Sequence, residues 1–348
     1  VARSAKLRGV NRDEIQQRKE EIERQFGPWT AMDIDLGHGI ATRTGAASAS
    51  GSGESSYRHE RSDWSGYSPT SSRISRIVQL IADLARKPIS ELRILDLACL
   101  EGGFAIELGA RGATAVGIDG RRGHIAKAEF ARNALGLPNV TFAVDDVRNV
   151  TRARYGGFDV VLCLGILYHL AERDLFPFAR AITDCSDHLL VVDTVLTIEA
   201  PESSIYDGRT YHGLTTPEHQ AKASASEIEE NAWMSIDNST NFLLSRFSLY
   251  NLFTDLGFSS AYECFLPPVL GHGARSTFVA VKGARQTLLT AAHLAAEEER
   301  YRETDSGASD SELHLVAREL TRLRRNPLAA FWSFFRRAAG NALRRSRR

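Results

Sequence analysis

Three acidic residues punctuate the first half of this 348-residue chain, each at the end of a short apolar run. Asp96 lies in RILDLA and leads into Cys99-Leu100-Glu101-Gly102-Gly103. Asp119 closes ATAVGID, 23 residues further on, and Asp145-Asp146-Val147 follows the next run. A glycine turn between a strand and a helix aims backbone N–H groups and a helix N-terminus at a ligand. Glycine also lets that ligand come close to the main chain. An acid at the end of the second strand can accept hydrogen bonds from both hydroxyls of a ribose. An acid followed by a free backbone N–H can read an adenine edge, the carboxylate taking the amino group and the N–H a ring nitrogen. Singly, each is ordinary punctuation. In this order, at the ends of three successive strands, they predict a site for an adenosine-containing ligand.

A second group of residues could carry the reaction. Gly165-Ile166-Leu167-Tyr168-His169 follows a fourth apolar run, FDVVLCL. An imidazole changes charge near neutral pH, so His169 is the first candidate for a general base. The alternative is that it caps the following helix or packs on the adenosine. The stretch 199–241 carries Tyr206, Asp207, Tyr211, His212, His219, Trp233, Asp237 and Asn238. Segments inserted into a fixed scaffold commonly carry specificity. Aromatic and amide groups suit a polar ring such as a sugar or a hydroxylated metabolite, and Tyr211, His212, Trp233 and Asn238 are taken as substrate contacts. The alternative is a structural flap with surface histidines. No His, Cys and Asp spacing matches a metal site. The four cysteines, Cys99, Cys163, Cys185 and Cys264, form no CxxC pair and read as buried free thiols.

The elements needed to hold these residues are legible as alternating periodicities. Apolar runs at 92–97, 114–119, 139–144, 158–164 and 188–194 read as strands, with helices at about 103–110, 122–135 and 170–183 between them. Such alternation predicts a parallel sheet covered by helices. A helix at 245–256 and strands at 260–266 and 275–281 follow, after a long irregular stretch. Upstream, 12–26 reads as an exposed helix, 29–44 holds a short hairpin around Asp35-Leu36-Gly37, and 70–86 is an amphipathic helix. Residues 45–72 are a Ser/Gly-rich loop containing Tyr57, Trp64 and Tyr67. They are either a segment that orders against a ligand or a plain linker. The predicted organisation is an extension over 1–72, a core over 73–283 with its insert at about 199–241, and a helical basic extension over 284–348.

Residues 92–170 resemble the class I S-adenosylmethionine-dependent methyltransferases. LDLACLEGG is similar to that family's acid and glycine-rich turn, GID to its second motif and DDV to its third. FDVVLCLGILYHL resembles its fourth strand and following turn, and SLYNLFTDLGFSSAYECFLP with RSTFVAVKG its closing strand pair. The resemblance implies a Rossmann-like, mostly parallel seven-stranded sheet with helices on both faces, closed by an antiparallel strand. It implies S-adenosyl-L-methionine held by Asp96, Ala98, Gly102, Gly103, Asp119, Asp146, Val147 and Gly165, with Tyr168 lining the methyl pocket. The usual DxGxGxG reads here with Ala98 and Leu100 in place of two glycines, and Gly103 is expected to take up part of their role. A nicotinamide dehydrogenase would need G-x-G-x-x-G after the first strand, which is absent. GILYH, GPW with IDLGHGIAT, and Arg275 are also similar to the bacterial tRNA wobble-uridine carboxymethyltransferases, in which the positions matching Tyr168 and Arg275 help recognise a carboxylated cofactor. The main expectation is O-methylation of a sugar, glycan or natural-product hydroxyl. The alternatives are tRNA modification and a catalytically idle binding subunit.

Charge is unevenly spread. Formal net charge is zero, yet the last 31 residues, from Arg318, contain ten Arg and one Glu, leaving the remainder at −9. The acidic body argues against nucleic acid as a partner. After Pro327, Leu328, Phe331, Trp332, Phe335, Ala339 and Ala342 recur at helical spacing, flanked by Arg336, Arg337, Arg344 and Arg345. An apolar aromatic face rimmed by arginines suits an anionic membrane surface, and residues 327–348 are expected to make such a contact. The alternative is docking on the body or on a second subunit. No apolar run reaches the ~18 residues of a membrane span. A cytoplasmic protein, peripheral at the inner membrane face, is expected.

Overall fold

The computed structural model describes residues 11–30, 32–43, 69–219, 223–224, 227–228, 231–264 and 275–283. Residues 45–68 of the expected Ser/Gly-rich loop and the 284–348 extension, with its amphipathic segment, lie outside the described residues, while 69–72, also expected to be loop, open a helix. By contacts the chain divides into two units, Val1–Ala284 and Arg285–Arg348.

Seven strands form one sheet in the order β3-β2-β1-β4-β5-β10-β9. They are β1 (Arg93–Leu97), β2 (Thr114–Asp119), β3 (Val140–Val144), β4 (Phe158–Leu164), β5 (Ser186–Val195), β9 (Ser260–Cys264) and β10 (Arg275–Val281). The first five run parallel, and β10 lies antiparallel between β5 and β9. Buried on both faces, the central strands are near-continuous apolar runs, as Phe158–Leu164 illustrates. The antiparallel direction of β10 has a consequence for the site. Its first residue, Arg275, comes to the edge where the parallel strands end, with Thr277 opposite Asp193.

Each face of the sheet carries its own apolar layer. Helices α1 (Arg12–Phe26), α2 (Pro69–Leu84), α3 (Gly103–Ala110) and α4 (Arg122–Leu135) contribute Ile15, Ile77, Ile81, Leu108 and Ala131 to one layer. The other is built from α6 (Glu172–Cys185) and α7 (Arg246–Asp255), through Phe176, Ile182, Leu249 and Phe253. A short helix, α5 (Arg152–Tyr155), precedes β4. Helix α1 spans the predicted residues, and Asn11 caps it by accepting from the Asp13 N–H. The hairpin at 29–44 forms around the Asp35–Ala41 bridge. Buried Thr42 ties it, donating to the Met32 carbonyl at 2.7 Å and accepting from the Ile34 N–H at 2.8 Å. Cys99, Cys163 and Cys185 are buried, and all four cysteines are free.

Part of the stretch expected to be irregular, 199–241, is sheet. It folds into β6 (Glu202–Tyr206) and β7 (Arg209–Pro217), joined by β8 (Thr240–Leu244) in a separate antiparallel sheet. The hairpin signal is Asp207-Gly208, both with positive φ (50° and 71°). Those are the two left-handed central residues that a tight hairpin with the right twist requires. β6 and β7 are rich in Ser, Thr and Tyr and lack the apolar runs that mark the main sheet, whereas β8 carries one, Phe242-Leu243-Leu244.

Candidate active site

All the predicted cofactor residues lie along one edge, where β1 to β4 end. The turn after β1 holds three left-handed residues in alternation, Ala98 (φ 50°), Leu100 (φ 51°) and Gly102 (φ 80°). The two lost glycines are therefore replaced without loss of the turn, at a cost on the order of 1–2 kcal/mol for each side chain in this region. Gly103 does not take up their role. It opens α3, and a Cβ there would stand 2.6 Å from Met32 Sδ, so its function is close packing of the 29–34 segment. Asp96, 2% exposed, accepts from the Ala105 N–H at 3.2 Å and so orients the first turn of α3. Burial in this setting pushes its carboxyl up to about 7.

Asp119 is buried at the end of β2. Its Oδ1 accepts from the Arg121 N–H at 2.9 Å and lies 3.0 Å from His124 Nδ1, while Oδ2 accepts from the Leu100 N–H at 3.0 Å. A carboxylate offers about four acceptor directions; one, on Oδ2, remains for a ligand hydroxyl. After β3 the two acids divide their roles. Asp145 is turned inward, held by its neighbour's Asp146 N–H, by Asn149 at 3.0 Å, by Tyr155 and by Arg154 at 2.8 Å. Asp146 is turned outward and paired through both oxygens with Arg148. Burial works against the Asp146 charge, but the Arg148 bonds outweigh it and hold its carboxyl below the ordinary range. Val147 opens a 3-10 turn, so its N–H has no partner within that turn.

The turn after β4 brings Gly165 (φ 105°), Tyr168 and His169 to the same edge. Arg275 donates to the Tyr168 hydroxyl at 3.3 Å, lies over its ring, and pairs with Asp193 of β5. A Cβ on Gly165 would stand 2.9 Å from Arg275 Nη2. Arg73 of α2 also reaches Asp193, at 3.0 Å. Burial opposes the Asp193 charge, and the two guanidiniums overcome it, keeping its carboxyl low.

His169 has a partner that sequence reading passed over. Its Nδ1 lies 2.6 Å from Oε1 of Glu218, a residue 1% exposed just beyond β7. Of the four insert residues proposed as substrate contacts, Asn238 alone meets this cluster. Its amide donates to the His169 carbonyl at 2.9 Å, and its Oδ1 is buried without a partner. Tyr211 is core, 1% exposed, packed on Phe176 and donating to Asp255 at 2.9 Å. It was chosen as an aromatic in an insert, and its side chain faces the helices. His212 is exposed and paired in the β6–β7 ladder opposite Ser203. Trp233 is 58% exposed. The structure brings none of these three against His169.

Two segments close over the edge. Glu101, fully buried in the turn, accepts from the Thr30 N–H at 2.7 Å and the Met32 N–H at 2.9 Å, with Lys127 3.5 Å away. On the other side, Arg121 Nη2 donates to the carbonyls of Ile228, Asn231 and Met234 at 2.9–3.2 Å. Arg148 reaches Asp237, and a Cβ on Gly120 would stand 2.7 Å from Ile236. The insert therefore lies on the ends of β2 and β3. Glu101, Arg121 and Arg148 were not singled out from sequence, because these partners lie tens of residues away. Among the described residues no cluster of three or more His, Cys, Asp or Glu could hold a metal, and no helix is long and apolar enough to cross a membrane.

Residues 94–188 match the family model of a methyltransferase domain. The 23S rRNA (uracil(1939)-C(5))-methyltransferase RlmD of Salmonella typhi is 30% identical over 121 residues, 32% of this chain and 28% of that one. The O-antigen chain terminator bifunctional methyltransferase/kinase WbdD of Escherichia coli is 29% identical over 142 residues, 39% of this chain and 19% of that one. The chain thus spans less than a third of the length of these two curated relatives. The N-terminal domain of EvdMO1, solved with SAH bound, superposes with a TM-score of 0.54 at 22% identity, covering 80% of this chain and 98% of that one. Strand order and sequence match agree: residues 94–188 match a methyltransferase domain, and the sheet has the fold of the class I S-adenosylmethionine-dependent methyltransferases.

Proposed function

We propose that this protein methylates a hydroxyl group of a sugar, glycan or natural product, with His169 as general base. The residues present fit the cofactor. Asp119 keeps an acceptor direction for a ribose hydroxyl, the Val147 N–H faces no partner in its own turn, and the left-handed turn at 98–102 exposes main chain to the methionine end. When bound, S-adenosylmethionine supplies a methyl group made electrophilic by the adjoining sulfonium. What remains for the protein is to orient the acceptor and remove its proton.

The observation that carries the reading is the His169–Glu218 hydrogen bond at the carboxyl edge of β4. An alcohol is a poor nucleophile until its proton is taken, and an imidazole held by a buried acid is suited to that task. The relatives lend support to a sugar acceptor: WbdD is an O-antigen chain terminator, and EvdMO1 was also solved in the presence of D-fucose. The test is transfer of labelled methyl from S-adenosylmethionine to panels of sugars, phenols and tRNA. Label is expected in a hydroxylated sugar or natural product, and His169→Ala should lower turnover about 10²–10⁴-fold while leaving S-adenosylhomocysteine affinity nearly unchanged. Label appearing in tRNA alone would overturn the proposal.

A further inference from the structure

We infer that Glu218 is the positioning residue for His169, and that the insert delivers it. The inference rests on His169 acting as the base. Glu218 touches neither cofactor edge nor solvent; it is 1% exposed, and the polar contacts of its carboxyl are with protein groups. Its Oε1 accepts from the Ser235 N–H at 2.7 Å and meets His169 Nδ1 at 2.6 Å. Its Oε2 accepts from the Asn241 amide at 2.7 Å, and the other atom of that amide accepts from the Thr216 hydroxyl. Oε1 thus faces a backbone N–H, which can only donate, and Oε2 an amide nitrogen, so in this arrangement both oxygens act as acceptors.

The proton of the His169–Glu218 bond then belongs to Nδ1. In the neutral ring this leaves Nε2 with the lone pair, the form a general base requires. Free imidazole side chains favour the opposite tautomer, with hydrogen on Nε2, so the protein must impose this one. The ring is held against rotation by Tyr168, whose centroid is 4.1 Å away, and the backbone by the Asn238 amide on the His169 carbonyl.

Each group that fixes Glu218 comes from the insert. Ser235 follows Met234, whose carbonyl is bonded to Arg121, and precedes Asp237, which is bonded to Arg148. Arg121 and Arg148 are in the loops after β2 and β3. The base is thus set by a segment seated on the adenosine side of the edge.

The experiment is nitrogen-15 spectroscopy of the full chain with labelled histidine, His169 being assigned by loss of its signals in His169→Gln. The wild type should show Nδ1 protonated and Nε2 bare in the neutral ring. Glu218→Ala should move the hydrogen to Nε2. Glu218→Gln should keep the wild-type pattern, because the Ser235 N–H selects the amide oxygen at the Oε1 position and the Asn241 amide can turn over to accept from the new nitrogen, donating in turn to the Thr216 hydroxyl. With an acceptor from the panel, Glu218→Ala should lower kcat by about 10²-fold or more, with KM and S-adenosylhomocysteine affinity within threefold, and Glu218→Gln should recover most of the loss. A wild-type ring protonated on Nε2, or an unchanged ring in Glu218→Ala, would overturn the assignment. Because the tautomer is read without an acceptor, failure of the hydroxyl reading leaves this result standing on its own.

Discussion

Asp96→Asn isolates the cost of a charge at the foot of the cofactor turn. Asp96 sits between Gly117 of β2 and Leu162 of β4 and is 2% exposed. Burial first, then nearby Asp119, raise its carboxyl from 3.8 to about 7, against the opposing Ala105 N–H and Arg73. Between about pH 4 and 7 the folded chain therefore holds a proton that the unfolded chain has lost. Stability falls as pH rises through that window, and the whole penalty is present above it. Three units at about 1.4 kcal/mol each amount to roughly 4 kcal/mol. Asparagine has no proton to lose and can still accept from Ala105. The stability of the variant minus that of the wild type should grow by about 3 kcal/mol between pH 5 and 8 and then level off, read from urea unfolding at each pH. Comparing the two proteins at each pH cancels the titration of every other group. A difference that stays constant across the range would refute the account.

Other consequences are open to simpler measurements. Glu101→Ala should cost about 3–5 kcal/mol in denaturant unfolding, because it strands buried Lys127 and frees two N–H groups of the 29–34 segment. Asp119→Asn should weaken S-adenosylhomocysteine about 10–100-fold by calorimetry, the worth of one charge-assisted bond. Ala98→Val should destabilise by about 1–2 kcal/mol, since a β-branched side chain suits a left-handed residue worse than alanine does; an unchanged melting temperature would show the turn to be relaxed. For the basic extension, we propose contact with anionic membrane: full-length chain should float with anionic liposomes and a truncation before Pro327 should not, equal behaviour refuting it.

The main sheet was legible because its central strands are apolar runs with turn signals behind them, and because the acids at its edge recur in a fixed order. The inserted sheet was not. β6 and β7 are rich in Ser, Thr and Tyr, and only Asp207-Gly208 announced a hairpin. Tyr211 was chosen for the site because an aromatic in an insert looks the same in sequence whether it meets a ligand or a helix. Glu101 and Glu218 were passed over for the converse reason. A lone glutamate is normally solvated, and what makes these two different is a set of donors 69–71 residues distant for the first and a histidine 49 residues distant for the second. Ala98 and Leu100 show the limit of a motif read by letters. The φ values were retained while the residues that usually supply them were not.

The way Arg121 grips the insert bears on how freely the sequence there can change. Its contacts at Ile228, Asn231 and Met234 are to main-chain oxygens alone. Every residue type offers the same oxygen, so side chains along this stretch are free to drift without loosening the hold. Trp233, half out in solvent beside one of those carbonyls, is a position where such drift costs little stability. A loop fastened by its backbone tolerates exchange: grafting a different sequence of the same length between Ile228 and Met234 should preserve the fold and leave His169 in register.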